Sequence, residues 1–104
     1  KILAVFDWLE EMFADNDFRG CSFINSYGEL GATSPTVAEA AQHNKSCYQD
    51  ELTSLVAEAG LPEQVAIQIG LLTEGALTTA AILGPDGVVD GARQAARVLM
   101  NAQR

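Results

Sequence analysis

The chain has 104 residues, 48% of them apolar, and 14 acidic against 6 basic side chains give a formal net charge of −8. That length suits one domain with a modest core, and the apolar content excludes a disordered tail. The bases are scattered at Lys1, Arg19, Lys45, Arg93, Arg97 and Arg104, so no basic face exists to neutralise phosphates, which excludes nucleic-acid binding by this chain itself and sets it against an anionic membrane.

The first predicted helix runs from about Ile2 to Ala14. Ile2, Val5, Phe6, Leu9 and Phe13 recur at helical spacing, with Trp8 and Met12 on the flank and Asp7, Glu10 and Glu11 on a solvated face. The pattern is already under way at Ile2, so we expect residues upstream of it. Asp15-Asn16-Asp17 favours a cap or turn and ends the helix. A short, bent helix follows over about Ser22 to Leu30, carrying Phe23, Ile24 and Tyr27 and weakened by Gly28.

Ser34-Pro35 opens the longest predicted helix, with Ser34 as N-cap and proline at the first helical position. It runs to about Ala59 and stops at Gly60, with Pro62 beyond. Its expected stripe is Val37, Ala41, Asn44, Tyr48, Leu52, Leu55 and Ala59. The fourth helix spans about Pro62 to Leu83. Val65, Ile69, Leu72, Ala76 and Leu83 share one side, while Ile67, Leu71 and Ile82 sit nearly opposite. A helix apolar on both sides must be covered on both, so one side needs a partner. Gly84-Pro85-Asp86-Gly87 lacks the strand and the Lys-Ser/Thr signature of a phosphate loop and reads as a turn. The fifth helix runs from about Gly87 to Ala102, with Val88, Ala92, Ala95, Ala96 and Leu99 on one face. No repeat, heptad run or strand-like alternation is present, which gives an all-α bundle of about five helices in a single domain over residues 1–104.

Chemistry-bearing residues are few. His43 and Cys47 are four apart on one helix with Asp50 one turn on, and Cys21 is the one other cysteine. Such a trio suits a metal, but an i, i+4 pair on an amphipathic helix arises readily without function, and nothing marks an oxyanion hole. We expect both cysteines to be small, reduced, buried core residues, and we expect no catalytic residue, metal or cofactor. No apolar run reads as long enough for a membrane span and no signal peptide is visible, so a cytoplasmic protein is expected. More informative are polar residues within apolar stripes: Asn44 between Ala41 and Tyr48, Glu51 on the edge of the same stripe, and Glu74 between Leu71 and Thr78. Burying such groups costs on the order of 1–3 kcal/mol unless they are paired. They either bond to neighbours or line a cavity walled by Phe6, Phe13, Phe23, Tyr27 and Tyr48.

Phe18-Arg19-Gly20-Cys21-Ser22-Phe23-Ile24-Asn25 resembles the Arg-Gly-Cys-Pro-Phe-type segment in the C-terminal domain of many tetracycline-repressor (TetR/AcrR) family transcriptional regulators. There it follows a helix like Val5-Phe6-Asp7-Trp8-Leu9 and precedes a long helix with a polar step, here His43-Asn44-Lys45. Leu71-Leu72-Thr73-Glu74-Gly75-Ala76 is similar to the family's Leu-Leu-x-Asp-Gly-Ala run. The likeness spans Ile2 to about Ala102 and rests on the order and spacing of the motifs. Ser22 stands where proline is usual, and Glu74 replaces the commoner aspartate.

The resemblance implies a regulatory domain whose first helices surround a pocket for a small lipophilic effector. It implies that the last two helices meet those of a second copy in an intersubunit four-helix bundle, and that operator DNA is read only through an N-terminal helix-turn-helix domain outside this sequence. The expected effector-binding residues are Phe6, Leu9, Phe13, Cys21, Phe23, Tyr27, Asn44, Cys47, Tyr48 and Glu74. The expected homodimer residues are Leu71, Gly75, Ala76, Thr79, Ala92, Ala95, Ala96 and Leu99, since small residues let helices approach across a two-fold axis. Two alternatives are a structural dimerisation domain without a ligand, and a small helical metal protein or enzyme built on His43 and Cys47.

Overall fold

Local punctuation sets where the helices begin and end. The computed structural model describes residues 2–15, 18, 25 and 28–103. Four helices are delimited there: α1 (Ala4–Phe13), α2 (Pro35–Glu58), α3 (Glu63–Leu83) and α4 (Val88–Asn101). Asn25 and residues 28–30 are also helical, in the stretch expected to form the short second helix. Most of that stretch, with Cys21, Phe23 and Tyr27, lies outside the described residues. No strand occurs among the described residues. The fold is all-α, as the periodicity requires.

Ser34 caps α2 by accepting the Val37 N–H at 3.4 Å, with Pro35 in the first turn. At the other end Gly60 adopts φ 74°, a left-handed turn that side chains disfavour. The Leu61 N–H then reaches back to the Val56 carbonyl at 3.1 Å, closing the helix end. Gly84-Pro85-Asp86-Gly87 forms the expected turn between α3 and α4.

The chain folds back at each turn, so α2 packs on α3 and α3 on α4, while α1 lies across α3 and α4. The Cα atoms fill a slab of 45 × 29 × 16 Å, about two helices deep at interaxial distances of about 8–10 Å. Phe6, Leu9 and Phe13 of α1 meet Leu52 and Val56 of α2, Val65, Ile69 and Leu77 of α3, and Val89 and Ala96 of α4 in one core. Phe6 and Leu9 are fully buried, each contributing about 1.5–3 kcal/mol.

Several expectations are corrected. Ala59 and Leu83 were placed on core stripes, yet both are exposed because each sits at a helix end beyond the reach of the neighbouring helix. Val56, absent from the expected α2 stripe, is buried instead. Cys47 is exposed, on the side of α2 turned away from Leu52. Glu10 is not simply solvated, because its carboxylate meets Arg93. Finally, α3 is long and apolar enough to cross a membrane by length and composition, with a mean hydropathy of 1.5 over its best window. Its placement is that of a central packing helix: Val65, Ala66, Ile69, Gly70, Thr73 and Ala76 are all buried against the rest of the chain.

Candidate functional site

Among the described residues, those expected to form an effector pocket line no common recess. Phe6 and Leu9 are packed in the core with no exposed surface. Phe13, also buried, packs at a tilt against Phe18 with ring centroids 4.8 Å apart. It borders a recess of about 260 Å³ shared with Glu10, Pro85, Asp86, Val89 and Asp90. Asn44 is half-buried on α2, and Cys47 sits at the surface with its Sγ 3.6 Å from His43 Nε2. Asp50 is exposed one turn on, and no group of three metal-ligating residues gathers among the described residues. Glu51 is likewise exposed. Cys21, Phe23 and Tyr27 fall outside the described residues.

Tyr48 and Glu74 are brought close, and both find partners within the chain. The Glu74 carboxylate accepts from Lys45 Nζ at 2.8 Å, joining α3 to α2. The Tyr48 hydroxyl donates to Thr73 Oγ1 at 2.9 Å, and Thr73 donates in turn to the Gly70 carbonyl at 3.0 Å. Burial, the largest cause, and the nearby Glu74 charge push the Tyr48 phenol above the usual tyrosine range, although the bond to Thr73 opposes them. Next to Tyr48, Gln49 Nε2 donates to the Ala66 carbonyl at 3.0 Å. Gly70 makes room for that side chain: a Cβ there would collide with Gln49 Oε1. The α2–α3 seam is thus a polar zipper within an apolar packing.

At the opposite edge, Arg93 of α4 is only 14% exposed and binds three carboxylates: Asp7 at 3.0 Å, Glu10 at 3.2 Å and Asp90 at 3.0 Å. Its hydrogen bond to Glu10 first, and then that to Asp7, raises the guanidinium above its already high ordinary pKa. Arg93 and Thr73 hold these seams together although neither belongs to an apolar stripe. Their position carried the signal: Thr73 lies four after Ile69 and three before Ala76, and Arg93 four after Val89 and three before Ala96, so both fall on buried faces.

Five of the eight residues expected at a dimer interface, Leu71, Gly75, Ala76, Thr79 and Ala92, line one groove. Leu71, Leu72, Gly75, Ala76 and Thr79 of α3 and Val88, Gly91 and Ala92 of α4 line one open groove of about 380 Å³. Ala76 and Ala92 form its nearly buried floor. Ala96 is the exception, fully enclosed in the chain's own core and unable to meet a partner. Ala95 and Leu99 are half-buried. Leu71 in the groove wall, and Ile67, Ile82 and Val98 farther along the same two helices, are between 45% and 75% exposed. Between Ile67 and Ile82 this outward side of α3 carries no charged residue apart from Glu74 at its border, which Lys45 neutralises. On α4 it continues through Val88, Gly91, Ala95 and Val98, again without a charge.

Against known proteins, no family model, no curated protein and no solved structure matches the chain.

Proposed function

We propose that the chain is the homodimerisation and effector-binding domain of a transcriptional regulator of the tetracycline-repressor type, acting without catalysis. The observation that carries the reading is the uncharged apolar face across α3 and α4 on a chain of net charge −8. Two copies approach through that face without opposing like charges. The face is about 30 Å long on α3, shorter on α4 and about 20 Å wide, on the order of 500–600 Å² per copy. Two such faces bury on the order of 1,000–1,200 Å², which reaches the range of specific interfaces. The small side chains of Gly75, Ala76, Gly91 and Ala92 let helices from a second copy come close. DNA reading, in this proposal, belongs to a separate helix-turn-helix domain, and the protein works in the cytoplasm.

Light scattering at micromolar concentration tests the pairing: a dimer is expected, and a monomer overturns it. Leu71→Glu is the informative variant. Leu71 is largely exposed within one copy, so the carboxylate costs the fold little but is stranded in the paired state. Replacing Ala76 instead would disturb the core and the interface together.

The sensing half of the proposal rests on the sequence resemblance alone. A ligandless dimerisation domain is the second reading, favoured by Phe6 and Leu9 being fully packed and by Tyr48 and Glu74 being partnered within the chain. Thermal denaturation across a panel of neutral and cationic lipophiles separates the two. A ligand raises stability by RT ln(1 + [L]/Kd), and a panel without any shift leaves the structural reading.

A further inference from the structure

Gln68 lies one turn before Leu72, in the row 68, 72, 75, 79 of α3 whose other three members line the groove. The residue is half-buried, and its Oε1 is enclosed without a hydrogen-bond donor among the described residues. An orphaned amide oxygen beside an uncovered face calls for a physical explanation, because buried polar atoms are nearly always paired.

The geometry points to Gln68 as the residue that sets the register of self-association, its Oε1 accepting a hydrogen bond from the Thr79 hydroxyl of a second copy. The inference rests on the dimer surface proposed above and adds the pairing within it. A two-fold axis perpendicular to α3 sets the two α3 helices antiparallel, with residues paired about one midpoint. With the midpoint between Thr73 and Glu74, Gln68 faces Thr79, Leu72 faces Gly75 and Leu71 faces Ala76. Each large side chain then meets a small one, the condition for close packing. Slipping the pairing by four residues one way sets Leu71 against Leu72 and Gln68 against Gly75, which has no side-chain donor. Slipping it by four the other way sets Gln68 against Leu83, which has none either. One register therefore satisfies both the packing and the amide. Thr79 is exposed in the single chain and turns its hydroxyl freely, and a change of rotamer along the half-buried Gln68 side chain carries the enclosed Oε1 out to the uncovered face.

Sedimentation equilibrium on the whole chain tests the pairing, with wild type, Gln68→Met, Thr79→Val and the double variant compared and helix content checked by circular dichroism. Each single substitution is expected to weaken the dimer about thirtyfold, because the two-fold axis repeats the pair and two hydrogen bonds of about 1 kcal/mol each are lost. The double variant is expected to be no weaker than the weaker single, because both remove the same two symmetry-related bonds. Gln68→Met dimers as tight as wild type overturn the inference, and so do effects that multiply. Should Gln68→Met lose helix, Thr79→Val decides alone, and unchanged affinity there overturns it. A wild type that is monomeric at every concentration instead sinks the self-association reading itself, before any variant is compared.

Discussion

Replacing Thr73 by valine tests whether the Tyr48–Thr73–Gly70 relay holds α2 to α3. Thr73 has no exposed surface, and valine has nearly the same shape, so no cavity opens. What disappears is the acceptor for the Tyr48 hydroxyl at 2.9 Å and the donor to the Gly70 carbonyl at 3.0 Å. A typical intramolecular hydrogen bond contributes about 0.5–1.5 kcal/mol net. Tyr48 is half-buried and turns partly to water once its partner is gone, and the new methyl group returns part of the loss through burial. The expected net cost is therefore about 1 kcal/mol, equal to about 5 °C in the midpoint for a domain of this size. Urea denaturation followed by far-ultraviolet circular dichroism, at one fixed protein concentration, measures it. Thr73→Ala should cost about 1 kcal/mol more, because it removes the same bonds and also leaves a void. A Thr73→Val protein as stable as wild type, or more so, refutes the relay as a source of stability.

The neighbouring contact yields a prediction whose sign depends on background. Gly70→Ala gains about 1 kcal/mol of helix propensity, but it displaces Gln49 from the Ala66 carbonyl, at a cost of about the same size; it should be neutral or mildly destabilising alone, and stabilising by about 0.5–1 kcal/mol in a Gln49→Ala background by the same denaturation assay. Tyr48 links stability to alkaline pH. Its folded pKa stands above the unfolded value of about 10, so the contribution of the neutral phenol is complete below about pH 10 and is lost as pH rises through the folded pKa; Tyr48→Phe should flatten that decline above about pH 10 in urea titrations. Arg93→Met keeps the aliphatic stem but releases Asp7 and Glu10, so the thermal midpoint should fall, and the gap to wild type should narrow in 1 M salt because the carboxylates are exposed; a gap independent of salt argues against the ion-pair cluster.

How much of this was legible follows from the kind of signal each feature left. The ends of α2 and α3 were readable because Ser34-Pro35, Gly60 and Gly84-Pro85 act locally, on their own backbone. The two-sided character of α3 was readable because Ile67, Leu71 and Ile82 fall opposite Val65 and Ile69. The buried side of α2 was only partly readable. There Lys45, Gln49 and Thr53 are half-buried, and Lys45 and Gln49 bond across to α3, so the apolar period is diluted by polar groups whose partners lie 17 and 29 positions away. Cys47 reads as a core residue by its type, but its position on α2 turns it to the surface. Phe6 and Leu9 show a different limit: an apolar stripe predicts burial, and burial alone does not distinguish the wall of a pocket from a filled core.

The clamp of Arg93 on α1 has a kinetic side. Asp7 and Arg93 are 86 positions apart, whereas α2, α3 and α4 follow one another through short turns. Neighbouring helices joined this way close quickly, and contacts between distant segments form late because a long loop must first be closed. During vectorial synthesis α1 is made before the other three helices, yet its resting place on α4 is completed only when the last of them emerges. Until then Phe6, Leu9 and Phe13 are an apolar stripe without a bed, the part of the nascent chain with most to gain from a holding chaperone.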